Sequence, residues 1–256
     1  MNRTAPSSLT SGDALVLEGV SRAFGALKAI EDVSFSVAAG ERRAVIGANG
    51  AGKTTLFNVI TGDFPATAGR VLFFGDDVTL QPPYERIRAG LRRTYQSSLL
   101  FRELTVRDNL FLAVRGVTRN RYSFFRQKQS RPVEELLERA RLKPVADTPV
   151  SALSHGQQRQ LEIGMALAGA PRLILFDEPA AGLSPAERGE LVALLRALPA
   201  HMGFIIIEHD LDIALRVVDR VTVMHNGRLL KHGTPAEIEN DTEVQAIYMG
   251  RKHLDS

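Results

Sequence analysis

The chain has 256 residues, enough to bury a core of its own, with 32 Lys and Arg set against 29 Asp and Glu and no cysteine. Disulfide frameworks, Cys-ligated metals and thiol catalysis are thereby excluded, which suits a reducing compartment such as the cytoplasm. The first stretch, Met1 to Gly12, is rich in Ser, Thr, Pro and Gly, lacks the apolar segment of a secretory signal and reads as a flexible tail covering 1–13. The longest apolar runs, such as Leu173–Phe176 and Phe204–Ile207, fall far short of the ~20 residues that cross a bilayer, so the chain is not itself a pore.

In chain order, apolar β-branched runs bounded by turn residues predict strands at Leu15–Val20, Val33–Val37, Ala44–Ile46 and Val71–Phe74. A helix is expected over Lys53–Thr61. From Tyr95 to Ser154 strand signals vanish, and Val106–Val114 and Pro132–Leu142 read as amphipathic helices, a helical subdomain (about 97–153) inserted into the sheet. Within it, Arg115, Arg119, Arg121, Arg126, Lys128 and Arg131 cluster without acids and with Tyr122, Phe124 and Phe125 among them. Such a run suits either a solvated face or a surface near lipid headgroups or a membrane partner. A helix over Gln157–Ala168, reaching toward residue 169, precedes strand Leu173–Phe176. A helix over Pro185–Ala197 follows, with Ser184 as N-cap, Pro185 at the first position and Glu187 completing a capping box. Strands Phe204–Ile207 and Val221–Met224 close the series. The expected architecture is α/β: one domain over 14–250 with a mixed sheet, an antiparallel N-terminal β part and a short tail over 251–256.

Chemistry is concentrated at strand ends. Gly47-Ala-Asn-Gly-Ala-Gly-Lys-Thr-Thr55 fits the phosphate-binding pattern G-x-x-x-x-G-K-[ST] directly after strand Ala44–Ile46. Gly47, Asn49, Gly50, Ala51 and Gly52 would let successive backbone N–H groups face phosphate oxygens, helped by the positive end of the next helix. Lys53 is placed to neutralise β- and γ-phosphates, Thr54 to ligate Mg²⁺ and Thr55 to touch the α-phosphate side. This pattern alone leaves kinases, GTPases, helicases and transporters open.

The apolar strand Leu173–Phe176 ends in Asp177 and Glu178, a Walker B pattern in which Asp177 would hold Mg²⁺ through water and Glu178 would orient or deprotonate the attacking water. His209, after Phe204-Ile-Ile-Ile-Glu208, stands where it could reach the γ-phosphate, and Gln96, after Leu91-Arg-Arg-Thr-Tyr95, could ligate Mg²⁺ or orient water.

Leu153-Ser-His-Gly-Gln157 resembles the signature motif of the ABC ATPases, and the phosphate loop, Gln96, this signature, Asp177-Glu178, the Gly182-Leu-Ser184 turn and His209 follow the order of that family from about Leu15 to Gly250. The resemblance implies ATP and Mg²⁺ as ligands and a head-to-tail dimer. In it, Ser154, His155, Gly156 and Gln157 of one subunit face the γ-phosphate held by the other, beside the turn residue Ser184. It further implies that Phe24 stacks on adenine, although an aromatic there serves equally in a core. Two positions depart from the family pattern, His155 where Gly is usual and Ser184 where Asp is usual.

Arg93-Thr-Tyr-Gln96, Leu100-Phe-Arg-Glu-Leu-Thr-Val-Arg-Asp-Asn109, Glu178-Pro-Ala-Ala-Gly-Leu-Ser-Pro185 and Tyr248-Met-Gly250 look like branched-chain amino acid importer ATPases. Urea or amide importers and the ATPase of lipopolysaccharide export look much alike at these positions. The implied partners are a second ATPase subunit (identical or a paralogue), membrane permease subunits and a substrate-binding protein, with no nucleic acid. The implied place is the cytoplasmic face of the inner membrane, held through the permease. A soluble ABC ATPase outside transport fits less well, because the chain lacks a second cassette or long coiled coil, and a GTPase less still, because no Asn-Lys-x-Asp motif occurs.

Overall fold

In the computed structural model, which describes residues 12–95, 100–117 and 130–249, period-two patterning dominates the first elements. Strand β1 (Asp13–Phe24) buries Leu15, Leu17 and Val20, and β2 (Leu27–Ala38) buries Ile30, Val33, Phe35 and Val37, so the two pair antiparallel with one wet face. Both strands are longer than their apolar runs predict, since the exposed hairpin residues beyond Val20 and before Val33 still pair across the ladder. With β4 (Ala68–Phe73) and β5 (Asp76–Asp77) they form a four-stranded antiparallel sheet ordered β2-β1-β4-β5.

The second sheet has six strands, ordered β10-β9-β3-β8-β7-β6. Strands β3 (Arg42–Gly47), β6 (Leu91–Arg93), β7 (Leu173–Asp177), β8 (Gly203–Ile207) and β9 (Arg220–His225) run parallel, and β10 (Arg228–Gly233) closes one edge antiparallel. Its central strands are buried on both faces, which is why they read as unbroken apolar runs. Leu173, Leu175, Ile205 and Ile207 face the antiparallel sheet and helix α1 (Lys53–Thr61). Ile174, Phe176, Phe204 and Ile206 face the other way, into a core shared with helices from the rest of the chain.

Those helices are α3 (Val106–Val117), α4 (Ser130–Arg139), α5 (His155–Ala166), α6 (Pro185–Arg196) and α7 (Leu211–Val217), while α2 (Pro83–Ala89), α8 (Pro235–Glu239) and α9 (Thr242–Met249) complete the set. The described residues between Tyr95 and Ser154 form no strand beyond an isolated bridge of Thr105 with Pro149, as the lost periodicity predicts. Helix α4 stops short of Leu142 because Arg141 adopts a left-handed φ of 59°. Helix α5 starts two residues earlier than its apolar pattern, where Ser154 caps it. No described helix is long and apolar enough to cross a membrane. Of the basic cluster, Arg131 pairs with Glu135 at 3.4 Å, one acid that its spacing conceals, and Arg119, Arg121, Tyr122, Phe124, Phe125, Arg126 and Lys128 lie outside the described residues.

Candidate functional site: a phosphate loop beside an acidic strand edge

Strand β3 leads through Ala48–Gly52 into α1, and the helix begins on Gly52 at φ 96° with no side chain capping it. The first turn thus has no side-chain cap, an arrangement that suits an external anion at the positive end of the helix. The glycines are required by space as well as by φ: a Cβ on Gly47 would lie 2.3 Å from the Met224 carbonyl oxygen, and one on Gly52 2.5 Å from that of Ala29. Asn49, Gly50 and Thr54 are exposed, Thr55 is half-buried, and Ala51 anchors the loop in the core beneath. Lys53 is buried, its Nζ donating to the carbonyls of Gly47 at 2.8 Å and Ala48 at 3.1 Å, which folds the cation back over the loop.

The far end of the same helix is held by a residue that sequence reasoning missed. Buried Arg86 donates to the carbonyls of Val59 and Ile60 in the last turn of α1, and to those of Thr79 and Gln81. Burial lowers its pKa to about 10, opposed by Asp63 and Asp77, so it remains a cation near neutrality and complements the negative end of the helix. No apolar period or motif marks Arg86; only the fold places it under α1.

In the sheet, β3, β8 and β7 are neighbours, so Lys53, His209 and the acids Asp177 and Glu178 follow the carboxyl ends of adjacent parallel strands. Asp177 is 1% exposed. Its Oδ2 accepts from Arg93 Nη2 at 2.6 Å, and its buried Oδ1 has no hydrogen-bond partner. Burial pushes the Asp177 carboxyl up, and Arg93 and Lys53 pull it back. Such a lone buried carboxylate oxygen is the donor chemistry that a hydrated Mg²⁺ takes, and the residues fit that ion. Arg93 also reaches Asn58 and Asp63 near the end of α1, so it joins the phosphate-loop helix to the acidic strand.

Glu178 turns the chain immediately after the strand, with a left-handed φ of 47° and its N–H donating to Ile207 at 2.9 Å. A non-glycine residue in this region is held against a cost of about 1 kcal/mol or more, which the neighbouring strand end compensates. His209 is half-exposed, with Nδ1 3.9 Å from Glu208 Oε2. Glu208 is a second residue that sequence reasoning missed. It is wholly buried, its Oε1 accepts from the Ala180 N–H at 2.8 Å, and its Oε2 has no hydrogen-bond partner. Burial, with the charges of Glu178 and Asp210, raises its pKa to about 7. The available signal was an acid ending an all-apolar strand, the same pattern that marks Asp177.

The signature residues assemble elsewhere, at the start of α5. Ser154 caps the helix, accepting from the Gln157 N–H at 3.2 Å while Gln157 Oε1 accepts from the Ser154 N–H at 3.0 Å. His155 is exposed, and the Gly156 N–H donates to Glu187 Oε1 at 2.8 Å. Ser184 caps α6 as the sequence predicts, and its N–H and hydroxyl both reach Glu187 Oε2. The structure thus gathers two groups, one around Lys53, Asp177, Glu178 and His209 and one around Ser154, Gly156, Ser184 and Glu187. Phe24 stands at the tip of the β1–β2 hairpin, 40% exposed, with Phe64 edge-on at 5.3 Å and the Arg22 guanidinium 4.5 Å from its ring centre. Gln96 lies outside the described residues.

The profile of the ABC transporter family matches residues 30–181, more than half of the chain. The lipopolysaccharide export ATP-binding protein LptB of Escherichia coli K12 is 34% identical over 237 residues, covering 92% of this chain and 97% of its own. The high-affinity branched-chain amino acid transport ATP-binding protein LivG of Salmonella typhimurium is 36% identical over 248 residues, covering 92% and 97%. The ADP conformation of MJ1267, an ATP-binding cassette of an ABC transporter, superposes with a TM-score of 0.82 at 35% identity, covering 93% of this chain and 99% of that one. The sheet order, the glycine-built phosphate loop and these likenesses agree: the chain belongs to the ABC transporter family, as an ATP-binding subunit with the ABC ATPase fold.

Proposed function

We propose that the chain hydrolyses ATP at sites shared with a second ATPase subunit and so powers a membrane permease for branched-chain or related amino acids. The observation that carries the catalytic part is the placing of Lys53 after β3 and of Asp177 and Glu178 at the end of β7, on either side of β8 at one sheet edge, one strand leading to a helix N-terminus without a side-chain cap and the other to two carboxylates. Backbone N–H groups from Gly50 to Thr55 cradle the phosphates, and Lys53 leaves the Gly47 and Ala48 carbonyls for the β- and γ-oxygens. The Thr54 hydroxyl, Gln96 and Asp177 would hold Mg²⁺, which would supply positive charge against that developing on the phosphates. Glu178 orients or takes a proton from the attacking water, His209 supports the γ-phosphate, and Phe24 stacks on the adenine.

Ser154, His155, Gly156 and Gln157 complete the site of the opposite subunit, with Ser184 alongside. ATP then bridges the two chains, and its hydrolysis removes the bridge, which is the differential contact needed to shift the permease between states. A groove of about 220 Å³ between β6, α3 and α5, lined by Ile87, Arg92, Leu100, Ala113, Val117 and Met165, suits the permease segment that receives this motion. The domain limits proposed are 14–250, with a helical part over 97–153. The chain acts peripherally at the cytoplasmic face of the inner membrane.

The likeness to LivG supports amino acid import with a substrate-binding protein, and the comparable likeness to LptB supports lipopolysaccharide export as the second reading. Affinity capture from detergent-solubilised membranes separates them. Permease subunits together with a periplasmic binding protein support import, a lipopolysaccharide-handling permease supports export, and recovery of ribosomes or DNA alone overturns both.

A further inference from the structure

The starts of α5 and α6 are joined by one carboxylate. Glu187 Oε2 accepts from the Ser184 N–H at 2.9 Å and the Ser184 Oγ at 2.8 Å, while Oε1 accepts from the Gly156 N–H at 2.8 Å. The Ser184 N–H and hydroxyl and the Gly156 N–H, with the Ser154 side chain nearby, keep Glu187 below the usual glutamate range. A Cβ on Gly156 would stand 2.7 Å from Glu187 Oε1, so the glycine is what admits the carboxylate. An ordinary capping box needs only the bond back to its own N-cap, as in α8, where Glu237 returns to Thr234. Glu187 does this for α6 and also reaches across to a second helix.

The Gly156 N–H and the Ser154 side chain are the groups assigned above to the γ-phosphate of a nucleotide on the opposite subunit. An anion at a helix N-terminus is stabilised by the same donors whether it is a carboxylate or a phosphate oxygen, and one N–H serves one of them well. We propose that Glu187 is an internal competitor for that γ-phosphate: in the separate chain its carboxylate occupies the signature donors, and pairing around ATP displaces it. This inference rests on the reading that Ser154 and Gly156 act on the partner's nucleotide. Displacement also releases Glu187 from Gly156 while it still holds Ser184, so occupancy of the signature is felt by the turn that follows Glu178.

The test uses the full chain in a Glu178→Gln background, in which hydrolysis is slow enough to hold an ATP-bound pair. Dimer formation is followed by sedimentation velocity across a titration of Mg-ATP. Glu187→Gln keeps the size and the capping bond but removes the charge, and the ATP concentration at half-dimerisation is expected to fall by about 10-fold, the loss of one charge-assisted competitor. Glu187→Asp keeps the charge but is too short to cap α6 and reach Gly156 together; it carries the same expected direction should the first variant fail to fold. An unchanged or raised midpoint in the folded variants overturns the competitor role and leaves Glu187 as a plain cap. A Glu178→Gln chain that stays monomeric in ATP overturns the reading beneath, and the inference with it. A Glu178→Gln chain that dimerises without any gain from Glu187→Gln overturns the inference alone.

Discussion

Helix α1 and helix α5 are the two helices whose N-termini are proposed as phosphate sites, yet they are built in opposite ways. Helix α1 starts on a glycine with no side-chain cap, and its cation, Lys53, is folded back onto loop carbonyls. Helix α5 starts on a serine with a complete capping box, and a carboxylate from α6 covers its Gly156 N–H. On the proposed reading, a terminus without a side-chain cap takes its anion within one chain, whereas a terminus already satisfied needs the larger attraction of a second, nucleotide-loaded chain to open it. The difference teaches that motif residues of one family can stand in two states of readiness within a single subunit.

The comparison can be broken or sharpened by four experiments. Glu178→Gln should lower turnover by roughly 10²- to 10⁴-fold while leaving ATP bound, because it removes only the group that handles the water. Steady-state phosphate release read beside nucleotide binding decides it, and undiminished hydrolysis would remove Glu178 from that role. Next comes Glu208, the buried acid that steadies the turn between the two groups. Its folded pKa of about 7 lies above its unfolded value of 4.5, so the protonated folded form is favoured at low pH. The wild type should then lose stability as pH rises from about 4.5 to about 7, and lose no more from this group above that. Glu208→Gln should flatten this slope and gain roughly 3 kcal/mol relative to wild type at pH 8 compared with pH 4.5, measured by urea unfolding. Parallel slopes for the two proteins would contradict the buried neutral carboxyl.

Lys53→Ala should weaken ATP binding by ~10- to 100-fold, the value of a hydrogen bond to a charged group, as read by calorimetric titration. Tight binding by that variant would mean that the bare helix terminus suffices by itself. The smallest effect is expected for Phe24→Ala, about 10-fold in ATP affinity from lost stacking, with inorganic triphosphate affinity unchanged. Equal losses for both ligands would assign Phe24 to packing against Phe64 and Arg22 instead of to the base.

Much of the geometry of the candidate site is legible in the sequence because a strand followed by a glycine loop, or ended by acids, states where its polar groups will stand. The phosphate loop, Asp177 and Glu178 needed only local pattern, and the Ser184 cap was readable from its Pro185 and Glu187 neighbours. Arg86, Glu208 and the bridge from Glu187 to Gly156 were not readable in that way. Each depends on a partner far along the chain: α1 carbonyls for Arg86, the Ala180 N–H for Glu208, and another helix for Glu187.

The sequence by itself determined the class of fold, the phosphate chemistry and the order of its motifs, since periodicity and short-range spacing are set by residues a few positions apart. The tertiary structure decided how those motifs stand to one another: that Arg93 ties the α1 helix to Asp177, that Glu208 is buried beneath the turn after Glu178, and that the signature donors are already held by Glu187. Burial and long-range hydrogen bonding arise only when distant segments share one core, and no local pattern encodes which buried polar group will meet which.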